Sequence, residues 1–108
     1  MSDFRNEKIT NHIRELAALY IEKEAGPTSI ITVTRVMMSP DGKHATIMVS
    51  VLPIDKEQAA YGFLKRSLGG MRAYMTKNLN VHPIPYLDVE IDKGEKNYQK
   101  IDELLRNG

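Results

Sequence analysis

The chain has 108 residues, the size of one domain with a modest hydrophobic core and too short for two ordinary ones. With 15 Lys and Arg against 14 Asp and Glu, its formal net charge is +1, so no whole-molecule field draws it to nucleic acid or an anionic membrane, and such a partner must be met by a local patch. The absence of cysteine excludes disulfides, thiolate-metal sites and cysteine nucleophiles, and no apolar run approaches the ~20 residues that span a bilayer.

Met1-Ser2-Asp3-Phe4-Arg5 leads directly into a polar helical pattern, with neither the apolar centre of a secretory signal nor an Arg-rich, acid-poor transit segment, so a soluble cytoplasmic protein is the expectation. From Arg5 to Glu24, Ile9, Ile13, Leu16, Ala17 and Tyr20 recur at steps of three and four, which predicts an amphipathic helix. Ala25-Gly26-Pro27 ends it, because glycine suits a left-handed cap and proline cannot continue the ladder. Ile30 to Met38 is dense in β-branched residues and reads as a strand, with apolar groups on both faces and no clear buried side. The turn Ser39-Pro40-Asp41-Gly42 reverses the chain into a second strand, where Ala45, Ile47, Val49 and Val51 alternate with Thr46, Met48 and Ser50.

Asp55, with Gln58 three residues on, resembles a capping box and opens a helical region running to about Asn78. Ala60, Phe63, Leu64, Met71, Tyr74 and Met75 keep helical spacing through it. Gly69-Gly70 sits in the middle, where each glycine costs about 1 kcal/mol relative to alanine, so a bend or break is expected there. His82-Pro83-Ile84-Pro85 is an extended linker, since a residue before proline is pushed out of the helical basin. Beyond it, Leu87, Val89 and Ile91 alternate with Asp88, Glu90 and Asp92 as a third strand with one wet face. Glu95 to Leu105 carries Tyr98, Ile101, Leu104 and Leu105 on one stripe, so residues 93–108 read as a short C-terminal helix, either packed as a cap or partly mobile as a tail.

The expected fold is α+β, a single domain over 1–108 in two layers. Its order is helix, strand, strand, helix, kink, helix, strand and a short last helix, with a three-stranded sheet covered by helices on one face.

Between Lys65 and Lys77 there are four basic residues, Lys65, Arg66, Arg72 and Lys77, and no acidic one. On a helical wheel of about 100° per residue, Lys65 and Arg72 fall nearly in line, as do Arg66 and Lys77, with Gly69 between the two rows. The apolar residues cluster opposite, so burying them points a basic sector at solvent. Cations there can neutralise phosphates, glycine lets a backbone approach closely, and a bend would free amide donors toward an anion. Arg5, Lys8 and His12, at spacing three and four on the first helix, are a candidate second basic contact.

Ile31-Thr32-Val33-Thr34-Arg35-Val36, Ser39-Pro40-Asp41, His44-Ala45-Thr46-Ile47 and Val49-Ser50-Val51 follow one another along the first half of the chain. Leu68-Gly69 with Arg72, Val81 through Pro85, and Ile101 to Leu105 continue the series, in order, over most of the chain. With these residues in this order, the arrangement resembles a type II KH domain and, more closely, the bacterial ribosome-binding factor A family. In that family an Ala-x-Gly kink replaces the GxxG loop of ordinary KH domains, and Ser67-Leu68-Gly69 stands there, serine being the departure. Its small side chain can satisfy a backbone carbonyl within the bend, so the kink is expected to survive. The resemblance implies RNA binding through Lys65, Arg66, Ser67, Leu68, Gly69, Gly70, Arg72 and Lys77. It further implies a role on free small (30S) ribosomal subunits in late maturation and processing of 16S rRNA, accentuated in the cold, with no catalysis and no cofactor. An assembly GTPase is a candidate partner, no membrane is involved and the protein is expected to be a monomer.

Two other readings compete. For an enzyme, His12, His44 and His82 lie in three different elements without metal-ligand spacing, and no nucleophile elbow or phosphate loop is present. Asp88, Glu90 and Asp92 share a strand face and suggest a magnesium site, against the plainer reading of a solvated edge. Alternatively the basic helix docks on an acidic protein and RNA is incidental.

Overall fold

The structure is a computed structural model that describes residues 2–80 and 83–94, with side chains from Glu7 onward. Helix α1 (Ser2–Glu24) buries Ile13, Leu16, Ala17 and Ile21 and is stopped by Gly26-Pro27. Strands β1 (Ile30–Met38) and β2 (His44–Leu52) form an antiparallel hairpin. Its turn is held by side chains. Ser39 Oγ donates to Asp41 Oδ1 at 2.6 Å, that carboxylate accepts from the Lys43 amide at 3.0 Å, and Gly42 takes a φ of 72° that other residues resist.

The missing buried face of β1 has a physical cause. A bulge between Val33 and Arg35 inserts Thr34, so the inward side chains are Ile31 and Val33 before it and Val36 and Met38 after it. The period of two restarts out of phase, and neither alternation reads through.

Strand β3 (Tyr86–Ile91) lies parallel to β2, from Tyr86 beside His44 to Ile91 beside Val49, giving sheet order β1-β2-β3. A parallel neighbour needs a long crossover, and helix α2 (Glu57–Asn78) supplies it. Ala45, Ile47, Val49 and Val51 of β2 and Leu87, Val89 and Ile91 of β3 face the helices, α1 packing mainly on β1 and α2 on β3. The α+β fold with a three-stranded sheet and its helices on one face is therefore as the sequence suggests. The last helix expected within residues 93–108 falls outside the described residues beyond Gly94.

The opposite sheet face is less open than its polar alternation implies. Met48 is only 8% exposed, because Arg35 on β1 and Asp92 after β3 reach across it as an ion pair at 3.4 Å. Thr34, the bulge residue, donates its hydroxyl to Asp92 Oδ2 at 2.6 Å.

Two local expectations at α2 are corrected. Asp55 and Gln58 form no capping box. Pro53 starts a 3-10 turn over Ile54–Lys56, closed by the Lys56 amide on the Pro53 carbonyl at 3.0 Å, so Asp55 sits inside the turn and the helix opens at Lys56 without a side-chain cap. Nor does Gly69-Gly70 break the helix. Helical structure continues from Glu57 to Asn78 and neither glycine has a positive φ, so no amide donors are freed midway. Leu64, Met71 and Met75 are fully buried on both sides of the pair. Burial of such side chains is worth roughly 1.5–3 kcal/mol each, which outweighs about 1 kcal/mol per glycine.

The two glycines differ in what surrounds them. A Cβ at Gly70 would clash with the Tyr20 hydroxyl and lie 3.3 Å from Tyr20 Cζ, whereas one at Gly69 meets nothing. Gly70 thus lets α1 and α2 approach where the Tyr20 and Tyr74 rings meet at 5.7 Å. Gly69→Ala should stabilise the fold by about 0.5–1 kcal/mol in chemical denaturation, from helix propensity alone. Gly70→Ala should destabilise it by about 1–3 kcal/mol, and Tyr20→Phe introduced with it should restore part of the loss.

Asp92 generates a pH prediction. The Thr34 hydroxyl, then the Gly94 amide and the Arg35 charge, hold its carboxyl below the ordinary 3.8. A depressed carboxyl contributes stability that is present above its unfolded value and is lost as pH falls through the lower folded value. The stability gap between the native chain and Asp92→Asn should therefore be widest near neutral pH and close below about pH 4 in urea titrations at stepped pH.

Candidate nucleic-acid interface

Fixing the buried stripe of α2 fixes where its basic residues go, and the two rows meet different surroundings. Lys65 and Arg72, two turns apart, turn toward β3. Lys65 Nζ donates to Asp88 Oδ1 at 2.6 Å and stands 5.4 Å from the centre of the Tyr61 ring. The hydrogen bond raises the Lys65 pKa and lowers that of Asp88, so both remain charged as a pair. It is an exposed pair, with side chains 39% and 52% accessible, so solvent screens it and its effect on stability is small.

Arg72 is half-buried and more tightly held. Its Nη2 donates to the Ile84 carbonyl at 2.8 Å, and its Cζ lies 5.3 Å from the Tyr86 ring centre. The other terminal nitrogen, Nη1, is shielded from solvent without a hydrogen-bond partner among the described residues. The electron-rich face of Tyr86 offers the guanidinium a compensating contact. Arg72 thereby pins the Pro83-Ile84-Pro85 linker that delivers the chain to β3.

Arg66 and Lys77 are exposed, as is Gly69. Arg66 folds back over Gly62, its Nη1 3.2 Å from where a Cβ would stand. Ser67 Oγ donates to the Phe63 carbonyl at 2.8 Å, the internal bond its small side chain suggests, but in a helix that continues through the glycines and is not broken there. Leu68 is half-buried against the core, and Gly70 faces Tyr20. Of the predicted RNA contacts, the structure therefore gathers Arg66, Gly69 and Lys77 on the open side of α2. It places Lys65 and Arg72 along the rim against β3. Lys8 and His12 are exposed on α1, and the Arg5 side chain lies outside the described residues.

The suggested magnesium site is not assembled. Asp88 engages Lys65 and Asp92 engages Thr34 and Arg35, and among the described residues no group of three His, Cys, Asp or Glu is placed to hold a metal ion. His82 lies outside the described residues. Among those described, no helix is long and apolar enough to cross a membrane.

Sequence reasoning passed over one pair. Tyr86 is 66% exposed and its ring centre lies 5.6 Å from that of His44, its parallel partner on β2. The signal was present, since Tyr86 shares strand parity with Asp88 and Glu90 and is an aromatic on the wet face.

The fold and this surface can be set beside known proteins. The family model for ribosome-binding factor A matches residues 5–105. The chain belongs to the ribosome-binding factor A family. A relative of that name from Thermosipho africanus is 32% identical, over 95% of this chain and 86% of its own length. The crystal structure of ribosome-binding factor A from Thermus thermophilus superposes with a TM-score of 0.74, covering 82% of this chain and 97% of that one at 19% identity. A homology model of the Thermus thermophilus factor, fitted into a cryo-electron-microscopy map of its 30S complex, matches with a TM-score of 0.69 over 79% of this chain and 92% of that one, at 20% identity.

The different settings of the basic residues give a direct expectation. Arg72→Ala should lower stability by about 1.5–3 kcal/mol in chemical denaturation, because it removes a charged donor from the Ile84 carbonyl. Arg66→Ala and Lys77→Ala should each stay within about 0.5 kcal/mol of the native chain, as exposed substitutions do.

Proposed function

We propose that the protein is a non-catalytic, monomeric, cytoplasmic factor that binds free small ribosomal subunits through 16S rRNA and assists late maturation and processing of that RNA, with particular importance in the cold. Family membership supports the ribosomal partner, together with the 30S complex of the Thermus thermophilus relative. The observation that carries the RNA reading is the open side of α2. There Arg66 and Lys77 flank the uncovered backbone of Gly69, in a stretch without an acidic residue from Lys65 to Lys77. Gly69 weakens the helix and accommodates no described neighbour, which suits a position where a phosphate backbone comes close. Lys65 and Arg72 flank this surface from the rim, Ser67 and Leu68 shape the helix beneath it, and Gly70 sets its distance from α1. Arg5, Lys8 and His12 form the secondary contact. Release of the factor by an assembly GTPase completes the proposed cycle.

Arg66 and Lys77 are the positions to test, since reversing Arg72 would also unpin the linker. With Arg66→Glu and Lys77→Glu together, sucrose-gradient fractions should lose the protein from free small subunits, while the melting temperature changes little. Retention on those subunits would defeat the assigned surface, and an exclusively soluble pool of the native protein would defeat the ribosomal role. Neutralising both positions should also reduce the slope of log affinity against log salt by about 1.5–2, as the loss of two phosphate contacts requires.

A further inference from the structure

Around the β3 edge from α2, on the outer sheet face, three flat groups stand in series. The Arg72 guanidinium lies 5.3 Å from the Tyr86 ring centre, and that ring lies 5.6 Å from His44 with an interplanar angle of 32°. Tyr86 keeps 66% of its surface exposed with both contacts made, and His44 is exposed as well. Beyond the contact that Tyr86 offers Arg72, neither ring packs into the core. The core lies on the other side of β2 and β3, and the neighbouring outward positions on β3 are the exposed acids Asp88 and Glu90.

Rigidity distinguishes this pair from a chance surface aromatic. The Tyr86 amide donates to the Lys43 carbonyl at 2.8 Å, and His44 is fixed by its amide on Ser39 Oγ at 3.0 Å within the braced turn. The guanidinium is held in turn by the Ile84 carbonyl. The main chain beneath both rings is thus anchored, and the guanidinium beside Tyr86 is held in place. An unpaired base can stack on such planes with little ordering to undergo, and bases splayed from single-stranded RNA are recognised on aromatic rings and arginine planes. Arg72 links this step to α2, since it springs from the row beside Gly69.

We propose that Tyr86 and His44, braced by Arg72, form a stacking step for one unpaired nucleobase of the RNA that α2 holds by its backbone. This rests on the RNA reading of α2 and adds a preference for single-stranded over duplex RNA.

The probe is a short single-stranded RNA oligonucleotide of mixed sequence, compared with its own duplex and titrated into the intact chain. Tyr86→Leu should weaken single-strand binding roughly tenfold, in the range of one base stack, and leave duplex binding unchanged. Tyr86→Phe should bind like the native chain. In NMR spectra, the ring protons of Tyr86 and His44 should move upfield on addition of the single strand. Thermal melts of each variant separate lost binding from lost structure, and His44→Ala, which leaves the Arg72–Tyr86 contact in place, gives a second reading. Unchanged binding in both Tyr86→Leu and His44→Ala, with loss in Arg66→Glu/Lys77→Glu, would overturn the stacking step and leave the α2 surface standing. Equal weakening for single strand and duplex would overturn it also, as would Tyr86 shifts produced only by ribosomal protein. Failure of every variant to alter RNA binding would remove the α2 reading and the stacking step with it.

Discussion

The complete burial of Leu64, Met71 and Met75 governs the rest of the molecule, because it fixes the rotation of α2 about its own axis. Once those three face the sheet, each remaining position has one outlook. Gly70 must meet Tyr20, Lys65 and Arg72 must look along the sheet toward β3, and Arg66, Gly69 and Lys77 must face away. No polar interaction in the helix is strong enough to override this. An exposed ion pair such as Lys65–Asp88 is screened by solvent and contributes little, whereas the apolar stripe contributes several kcal/mol. The same burial carries the helix through two successive glycines.

Strand β3 depends on that helix twice. Its parallel pairing exists only because α2 returns the chain to the starting end of β2, and its entry is then latched by Arg72 on the Ile84 carbonyl. It is the edge of the described sheet beside β2, and edges invite pairing with other chains. Exposed Asp88 and Glu90, with two prolines immediately before the strand, make such pairing unfavourable. At its far end Asp92 reaches back over Met48 to Thr34 and Arg35, so the bulge that obscures the pattern of β1 also supplies the hydroxyl that anchors the end of β3.

The elements whose signals are local were legible. Helix α1 and strand β2 follow from periodicity, and the Ser39 to Gly42 turn from its residue types. Strand β1 was found, but its buried face was hidden by one inserted residue. The capping box was misread because Pro53 already organises the preceding turn. For the candidate site, the wheel correctly separates two basic rows on one side of α2, yet cannot tell which is engaged. The Lys65 partner lies 23 residues away and the Arg72 acceptor 12, and both distances close only through the parallel register. His44 beside Tyr86 depends on that register too. Gly69 and Gly70 are chemically identical neighbours, and only the position of Tyr20 tells them apart.

With a net charge of only +1, what the chain offers any charged partner is set by how its charges are distributed. The acids at β3 are not scattered. Asp88 is countered by Lys65 and Asp92 by Arg35, which leaves Glu90 exposed between two neutralised pairs on the outer sheet face. On the proposed reading, a phosphate backbone would be drawn along α2, where Arg66 and Lys77 face solvent without an acid between them. Tyr86 and His44 stand on the outer sheet face, joined to α2 around the β3 edge by Arg72. On the proposed reading, a single strand that passes from α2 around the β3 edge would keep its phosphates over the cations while turning a base toward the rings, a separation of backbone from base that a duplex, with its bases stacked inward, cannot make without opening.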